Sequence, residues 1–427
     1  MEKRVYDSYV NILNHELIVA LGCTEPIAIA YAGAKARAVL GKMPDRCTVR
    51  CSGNIIKNVK GVVVPQSSGK RGIDVAATLG IVGGDADRVL DVLAGVQPED
   101  VAAMDRLLEQ GFCKCELQEG VANLYIALTV YAGEEYALVE ISDYHTNITR
   151  IEKNGQVLLE QSGQSQGEGD LPDKALLNLK DILEFGSCVR MEDVQSVIER
   201  QISCNRAISD EGLNHPWGAQ VGRTLMKTAG SDDLKVFSCA AAAAGSDARM
   251  AGCALPVVIN SGSGNQGITV TMPILSYAEK YHVGHEMVCR ALCVANLISV
   301  HQKRYIGSLS AYCGAVSAAC AAACGIAYMM GESYDVISRT ITNTICTVGG
   351  IVCDGAKSSC AAKIAASVNA ALTALDMARM DHVFQPGEGL TCSDVEQTIA
   401  TVGCMGREGM KSTDVEILNL MLDNRCS

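Results

Sequence analysis

The segment Gly349-Gly350-Ile351-Val352-Cys353-Asp354-Gly355-Ala356-Lys357-Ser358-Ser359-Cys360-Ala361-Ala362-Lys363, with Tyr312-Cys313-Gly314 upstream of it, holds the three cysteines best placed to do chemistry. A helix beginning near Asp354 would set Cys353 and Cys360 two turns apart with their sulfurs on one side. Asp354 has the side chain of an N-cap. A cysteine just outside a helix N-terminus sees unpaired N–H groups and the positive end of the dipole, which favours thiolate. Thiolates bind soft metals, and three of them suit an iron–sulfur cluster with one iron left open. The competing reading is packing, since free cysteine is common in an Ala/Gly/Ser-rich core and C-x6-C is not a standard ligand pair.

Cys23 repeats this setting. A helix over Tyr6 to Leu21 ends at Gly22, and Cys23-Thr24-Glu25-Pro26 opens a second helix that runs to Gly41, with a proline tolerated in its first turn. Two polar glycine loops are candidates for holding a small carboxylate through backbone N–H groups: Ser52-Gly53-Asn54 and Ser261-Gly262-Ser263-Gly264-Asn265-Gln266-Gly267. Each is equally readable as a structural turn. The second contains a literal G-x-G-x-x-G, but Ile268-Thr269-Val270-Thr271-Met272-Pro273 follows in place of a helix pattern, against a dinucleotide site. The seven histidines show no ligand spacing; His282 and His285 can share a helix face, with no carboxylate or cysteine pattern joining them. Cys320 and Cys324 read as packing, and Cys113 and Cys115, in a strand, are not expected to serve one metal.

The elements that must position these groups follow from composition. A chain of 427 residues exceeds one ordinary core, so two domains are expected. Aromatics are only 4% beside 41 glycines, which implies cores of small side chains and close helix contacts. A net charge of −12 argues against nucleic acid and anionic membrane partners, which call for basic patches. The charged start Met1-Glu2-Lys3-Arg4 has no apolar signal region, so the 20 cysteines are expected reduced in a cytoplasmic protein. Tyr305 to Gly331 carries no charge over a bilayer's length, but its small, mildly apolar residues fit a buried central helix better.

The expected fold class is α+β, a mostly helical small-residue bundle with an inserted mixed α/β domain. Residues 1–44 are assigned to N-terminal helices of the helical catalytic domain and 45–160 to the inserted domain, where Asn154-Gly155 signals a hairpin. Residues 161–172 read as a linker, and 173–427 as the helical catalytic domain carrying the cluster cysteines. Small-residue helix faces point to self-association.

Taken together and in this order, Gly22-Cys23-Thr24-Glu25-Pro26, Ser52-Gly53-Asn54, Ser261 to Gly267, Tyr312-Cys313-Gly314, Cys353-Asp354-Gly355-Ala356-Lys357 and Cys360 resemble the L-cysteine desulfidase family. That family is related to the catalytic part of bacterial iron–sulfur L-serine dehydratases. The resemblance spans essentially the whole chain. It implies a [4Fe–4S] enzyme that splits L-cysteine into pyruvate, ammonia and hydrogen sulfide without pyridoxal phosphate. It implies Cys313, Cys353 and Cys360 as cluster ligands, although the related dehydratases have a longer gap between the last two cysteines.

Candidate catalytic residues are then Cys23, Glu25 and Lys357, with Cys23 either taking the Cα proton or serving as a displaceable fourth ligand. Ser52, Gly53, Asn54, Ser261, Ser263, Gly264 and Asn265 are candidates for holding the substrate, and Lys357 or Lys363 for charge balance. An L-serine dehydratase would share this site. An iron–sulfur redox sensor is the non-enzyme alternative, and no segment offers the lysine and phosphate cup of a pyridoxal-phosphate lyase.

Overall fold

The computed structural model describes residues 1–161, 172–228, 233–307 and 309–422. The expected 161–172 linker therefore lies outside the described residues except at its ends. The protein is α+β, with two hydrophobic cores.

The helical core is built around the helix Gly314–Met329, whose Ala318, Ala319, Ala321, Ala322 and Ala323 are buried. Residues this small let backbones approach closely, and the helix is surrounded by Gly264–Lys280, His285–Ile306, Tyr334–Val348 and Ser359–Arg379, with Leu234–Met250 packed against the first and last of these. Cys320 and Cys324 lie fully buried in that packing. No helix of the described residues is long and apolar enough to cross a membrane.

The second core lies under a six-stranded sheet in the order Cys113–Leu117, Arg46–Cys51, Tyr125–Ala132, Glu135–Ser142, Ile148–Lys153, Gln156–Glu160. Only the first pair is parallel. Asn154 and Gly155 take φ of 51° and 83° in the tight turn of the last hairpin. The helices Thr24–Leu40 and Ile73–Gly83 supply the apolar layer against the sheet. They cross so closely at Gly80 that a Cβ there would stand 2.2 Å from the Ala30 carbonyl oxygen. The helix opened by Cys23 thus belongs to the sheet core, whereas the sequence assignment placed residues 1–44 wholly with the helical part; the cores divide near Gly22.

Local expectations give way where tertiary contacts compete. The first helix ends at Glu16, and Val19–Leu21 pairs antiparallel with Pro256–Val258 instead of continuing it. Ser52-Gly53-Asn54 is not a loop but the start of a helix, Gly53–Val59. A helix also follows the second glycine loop: Gly264–Lys280 runs through Ile268 to Pro273 despite their strand-like types. Thr269 and Thr271 donate their hydroxyls to the carbonyls of Asn265 and Gly267 in the preceding turn. The preceding strand, Pro256–Val258, pairs only with an antiparallel neighbour, so the helix does not restore a dinucleotide fold. Cys113 and Cys115, two residues apart on a strand, share one face and are in hydrogen-bond contact, so strand geometry does not by itself keep them apart.

Candidate active site

The candidate residues meet where the two cores touch. An antiparallel bridge between Tyr312 and Val352 holds the first two cysteines side by side, with Cys313 N donating to Ile351 O at 3.1 Å and Cys353 N to Ala311 O at 2.6 Å. Gly355 then turns the chain at φ 97°, where a Cβ would strike the Lys57 carbonyl oxygen. The expected helix at Asp354 does not form for this reason. It begins at Ser359, and Cys360 is brought round by a loop in place of two helical turns.

Asp354 is accordingly a counter-ion, not an N-cap: it pairs with both Lys357 and Lys363. Lys357 also donates to Asp354 O, and Lys363 to Val352 O, each at 2.8 Å. Burial alone would raise the Asp354 carboxyl, but the two lysines hold it below the usual carboxylate range. Lys57, buried and paired with Asp414 of the helix Lys411–Leu422, donates to Cys353 O at 3.4 Å. Burial, followed by the Cys353 and Cys360 charges, pushes the Cys313 thiol up to about 12. Burial also raises Cys360 and lowers the Lys303 ammonium, which faces Cys313 and Cys353.

Every cysteine among the described residues is free. The one group of potential ligands among them whose atoms all lie within 4.8 Å of one another does not include these three thiols. The three thiols are therefore not all within that distance of one another, and Lys357 and Lys363 lie beside them.

Cys360 packs against Cys23, Val62 and Met250, which joins the thiol loop to the second part of the site. There the Cys23 thiol donates to Glu25 Oε2 at 3.0 Å, Asn58 Nδ2 donates to Glu25 Oε1 at 3.0 Å, and the Thr24 hydroxyl donates to Gly262 O at 3.3 Å. The Thr24–Leu40 helix terminus was expected to acidify Cys23. Burial and the Glu25 charge prevail instead and push the thiol well above its ordinary value, with Arg249 a smaller opposing influence. Burial works to raise Glu25, but His145, the Cys23 hydrogen bond and Arg249 outweigh it and hold the carboxyl low.

In the sequence His145 is one of seven histidines set aside for want of ligand spacing. The loop between Glu135–Ser142 and Ile148–Lys153 carries it to Gly262, where its Cε1 lies 3.9 Å from the position a Cβ would take. Its Nε2 is buried without a hydrogen-bond partner, and burial lowers its pKa below the ordinary histidine value despite Glu25 nearby. Only a short-range histidine pattern could have flagged it, and there is none. In the sequence Gln266 stands only as part of the glycine loop. Its amide fills the space a Cβ on Gly314 would need, beside Cys313, and its Oε1 is buried without a partner.

The candidate substrate residues divide. Asn54 Oδ1 is buried and unpartnered, one turn from Asn58 on the same face. Ser52 gives its hydroxyl to Asn123 O at 2.7 Å, and Gly53 makes room for Leu418. Ser263 precedes the first turn of Gly264–Lys280 as its N-cap residue. Ser261 donates to Asn260 Oδ1 at 2.9 Å, and Asn260 is held by Asn296 and Ser299 in a fully buried polar network. Asn265 Oδ1 accepts from Arg249 Nη1 at 3.2 Å, and the absence of a Cβ at Gly264 lets the same guanidinium pass, donating from Nε to Gly22 O.

The model of the serine dehydratase alpha chain family matches residues 90–419, so the chain belongs to that family. It is 46% identical to a UPF0597 protein of Desulfitobacterium hafniense over 100% of this chain and 99% of the relative. It is 48% identical to a UPF0597 protein of Lachnoclostridium phytofermentans over 98% and 100% of the two chains, and 45% identical to one of Finegoldia magna over 97% and 99%.

Proposed function

We propose that the chain is an iron–sulfur-dependent lyase that eliminates sulfide from L-cysteine, giving pyruvate, ammonia and hydrogen sulfide. The observation that carries this reading is the meeting of Cys313, Cys353 and Cys360 beside buried Cys23 and the unpartnered His145 Nε2. A [4Fe–4S] cluster held by those three thiolates would supply a Lewis-acidic iron for the departing sulfur.

The remaining work falls to side chains. Loss of a β-substituent requires removal of a poorly acidic Cα proton, and we assign that step to His145, whose lowered pKa leaves the ring neutral with a free acceptor. Cys23 keeps its proton against Glu25, so its role becomes proton donor to the leaving sulfur, with Glu25 orienting the thiol. Asn54, the Ser261–Ser263 turn and the N-terminus of Gly264–Lys280 receive the substrate carboxylate, with Arg249 and Asn265 as the cationic edge. Lys303, Lys357 and Lys363 offset negative charge at the thiolates. The released aminoacrylate hydrolyses to pyruvate and ammonia without further help.

A second reading, elimination of water from L-serine by the same groups, is favoured by the description of the family. Pyruvate and sulfide assays after anaerobic reconstitution with iron and sulfide separate the two. Equal amounts of pyruvate and sulfide from L-cysteine, with little pyruvate from L-serine, support the desulfidase; pyruvate from L-serine alone moves the assignment to the dehydratase. A stable cluster without turnover on either substrate favours the redox sensor.

A further inference from the structure

A second group of ligand-type side chains lies at the far end of the helical core. Glu199 stands on the helix Met191–Asn214, His285 opens the helix His285–Ile306, and Cys289 follows one turn later on the same face. Although sequence spacing gave His285 no metal-binding partners, Glu199 Oε1 touches His285 Nε2, and Cys289 Sγ lies 3.6 Å from the same nitrogen. All three atoms fall within 4.8 Å of one another. Lys303, beside the cluster cysteines, is on the same helix about 27 Å further along, so this group is separate from the candidate active site.

Two readings compete. A cysteine nucleophile with a histidine base and a carboxylate would use opposite ring nitrogens, whereas here thiol and carboxylate address one. Burial, Glu199 and Glu286 also push the Cys289 thiol up to about 11, leaving it protonated and unreactive at neutral pH. A divalent cation reverses that environment: it takes the place of the thiol proton and is met by the Glu199 carboxylate, while Glu286 stays paired with Arg290. Thiolate, imidazole and carboxylate are together a donor set for zinc, and three protein ligands leave a fourth position free. Beside His285 a surface hollow of ≈ 410 Å³, also lined by Arg206, Glu279 and His282, gives an ion and its fourth ligand a way in.

We propose that Glu199 Oε1, His285 Nε2 and Cys289 Sγ bind a zinc-class divalent ion whose fourth position opens toward this hollow. The ion ties the helix Met191–Asn214 to His285–Ile306. The test uses the full chain, reduced and stripped of metal under anaerobic conditions, titrated with Zn²⁺ against a chromophoric chelator and separately with Co²⁺. Wild type and a Cys313→Ser/Cys353→Ser/Cys360→Ser variant are expected to share one tight equivalent with thiolate-to-cobalt absorption and a Zn²⁺-dependent rise in Tm. His285→Ala and Glu199→Gln, both at positions with solvent access, are expected to bind that equivalent at least ~100-fold more weakly and to lose the rise in Tm. The proposal is overturned if these two variants keep the equivalent, or if it disappears with the three active-site cysteines instead.

Discussion

Two thiol-rich regions of the molecule look alike in sequence and differ in surroundings. On the sheet, Cys47 pairs with Cys113 across parallel strands, and Cys113 touches Cys115. At Cys113 the hydrogen bond with Cys115 works downward, but the hydrogen bond with Cys47, burial and the Cys47 and Asp74 charges outweigh it and push the thiol well up; at Cys115 the hydrogen bond with Cys113, burial and the Cys113 and Asp74 charges all act upward. At the junction of the cores, burial raises Cys313 and Cys360 too, but Lys303, Lys357 and Lys363 stand near the three thiols and the unpartnered polar atoms of His145, Gln266 and Asn54 lie in the adjoining part of the site. Thiols become candidate ligands through the charges and unsatisfied groups placed about them, not through their spacing.

The largest expected contrast is between the two sets of cysteines themselves. Cys353→Ala should abolish both bound iron and pyruvate formation, while Cys113→Ser/Cys115→Ser should retain most of each; iron analysis and a pyruvate assay on matched preparations measure it. Loss of iron in the sheet variant would erase the distinction.

Next comes His145→Gln, expected to lower kcat by about 10²- to 10⁴-fold without altering iron content. A base acts unprotonated, and burial lowers the His145 pKa below 6.5, so wild-type activity should persist to below that value and fall as pH drops through the lowered pKa. The variant should lack this acidic limb in its pH–rate profile. An unchanged limb would remove His145 from proton transfer.

Asn54→Ala should act more gently, raising KM about tenfold, near 1.4 kcal/mol, with kcat less affected. Steady-state kinetics distinguish this from a structural defect, which would lower the amount of active enzyme and leave KM alone.

The smallest effect is expected at Asp354→Asn. The lysine-paired carboxylate has a depressed pKa, so its stabilising contribution is present above the ordinary value of 3.8 and is lost as pH falls through the depressed value. Asp354 is half-exposed, and solvent screening limits the contribution to about 1 kcal/mol or less. Urea titrations should show the gap between wild type and variant narrowing below pH 3.8; a constant gap would mean the pairs with Lys357 and Lys363 contribute nothing.

Much of this architecture was legible because local chemistry and fold agree. Asn154-Gly155 encodes its turn, the alanine-rich Gly314–Met329 its burial, and the cysteine motifs their region. What escaped depends on contacts distant in sequence. Ile268 to Pro273 looks like a strand yet lies in a helix whose threonine hydroxyls bond back to the preceding turn. The Thr24–Leu40 helix is buried on most of its surface and has no single apolar stripe, so nothing in its pattern says which core claims it. His145 reaches Glu25 only because the loop between Glu135–Ser142 and Ile148–Lys153 is carried to Gly262, and Glu199 meets His285 only through helix packing. For Cys23 the helix-terminus argument was sound but incomplete, because burial and a carboxylate two residues away outweigh a dipole.

The central claim, that three thiols at the junction of the cores hold a group on which L-cysteine is split, is tested most directly by anaerobic reconstitution of wild type beside single alanine variants of Cys313, Cys353 and Cys360. The account predicts four irons per wild-type chain, a brown chromophore, and sulfide and pyruvate in equal amounts from L-cysteine, all lost together in each variant. Full turnover by a variant that has lost its iron, or by wild type that never bound any, would contradict it.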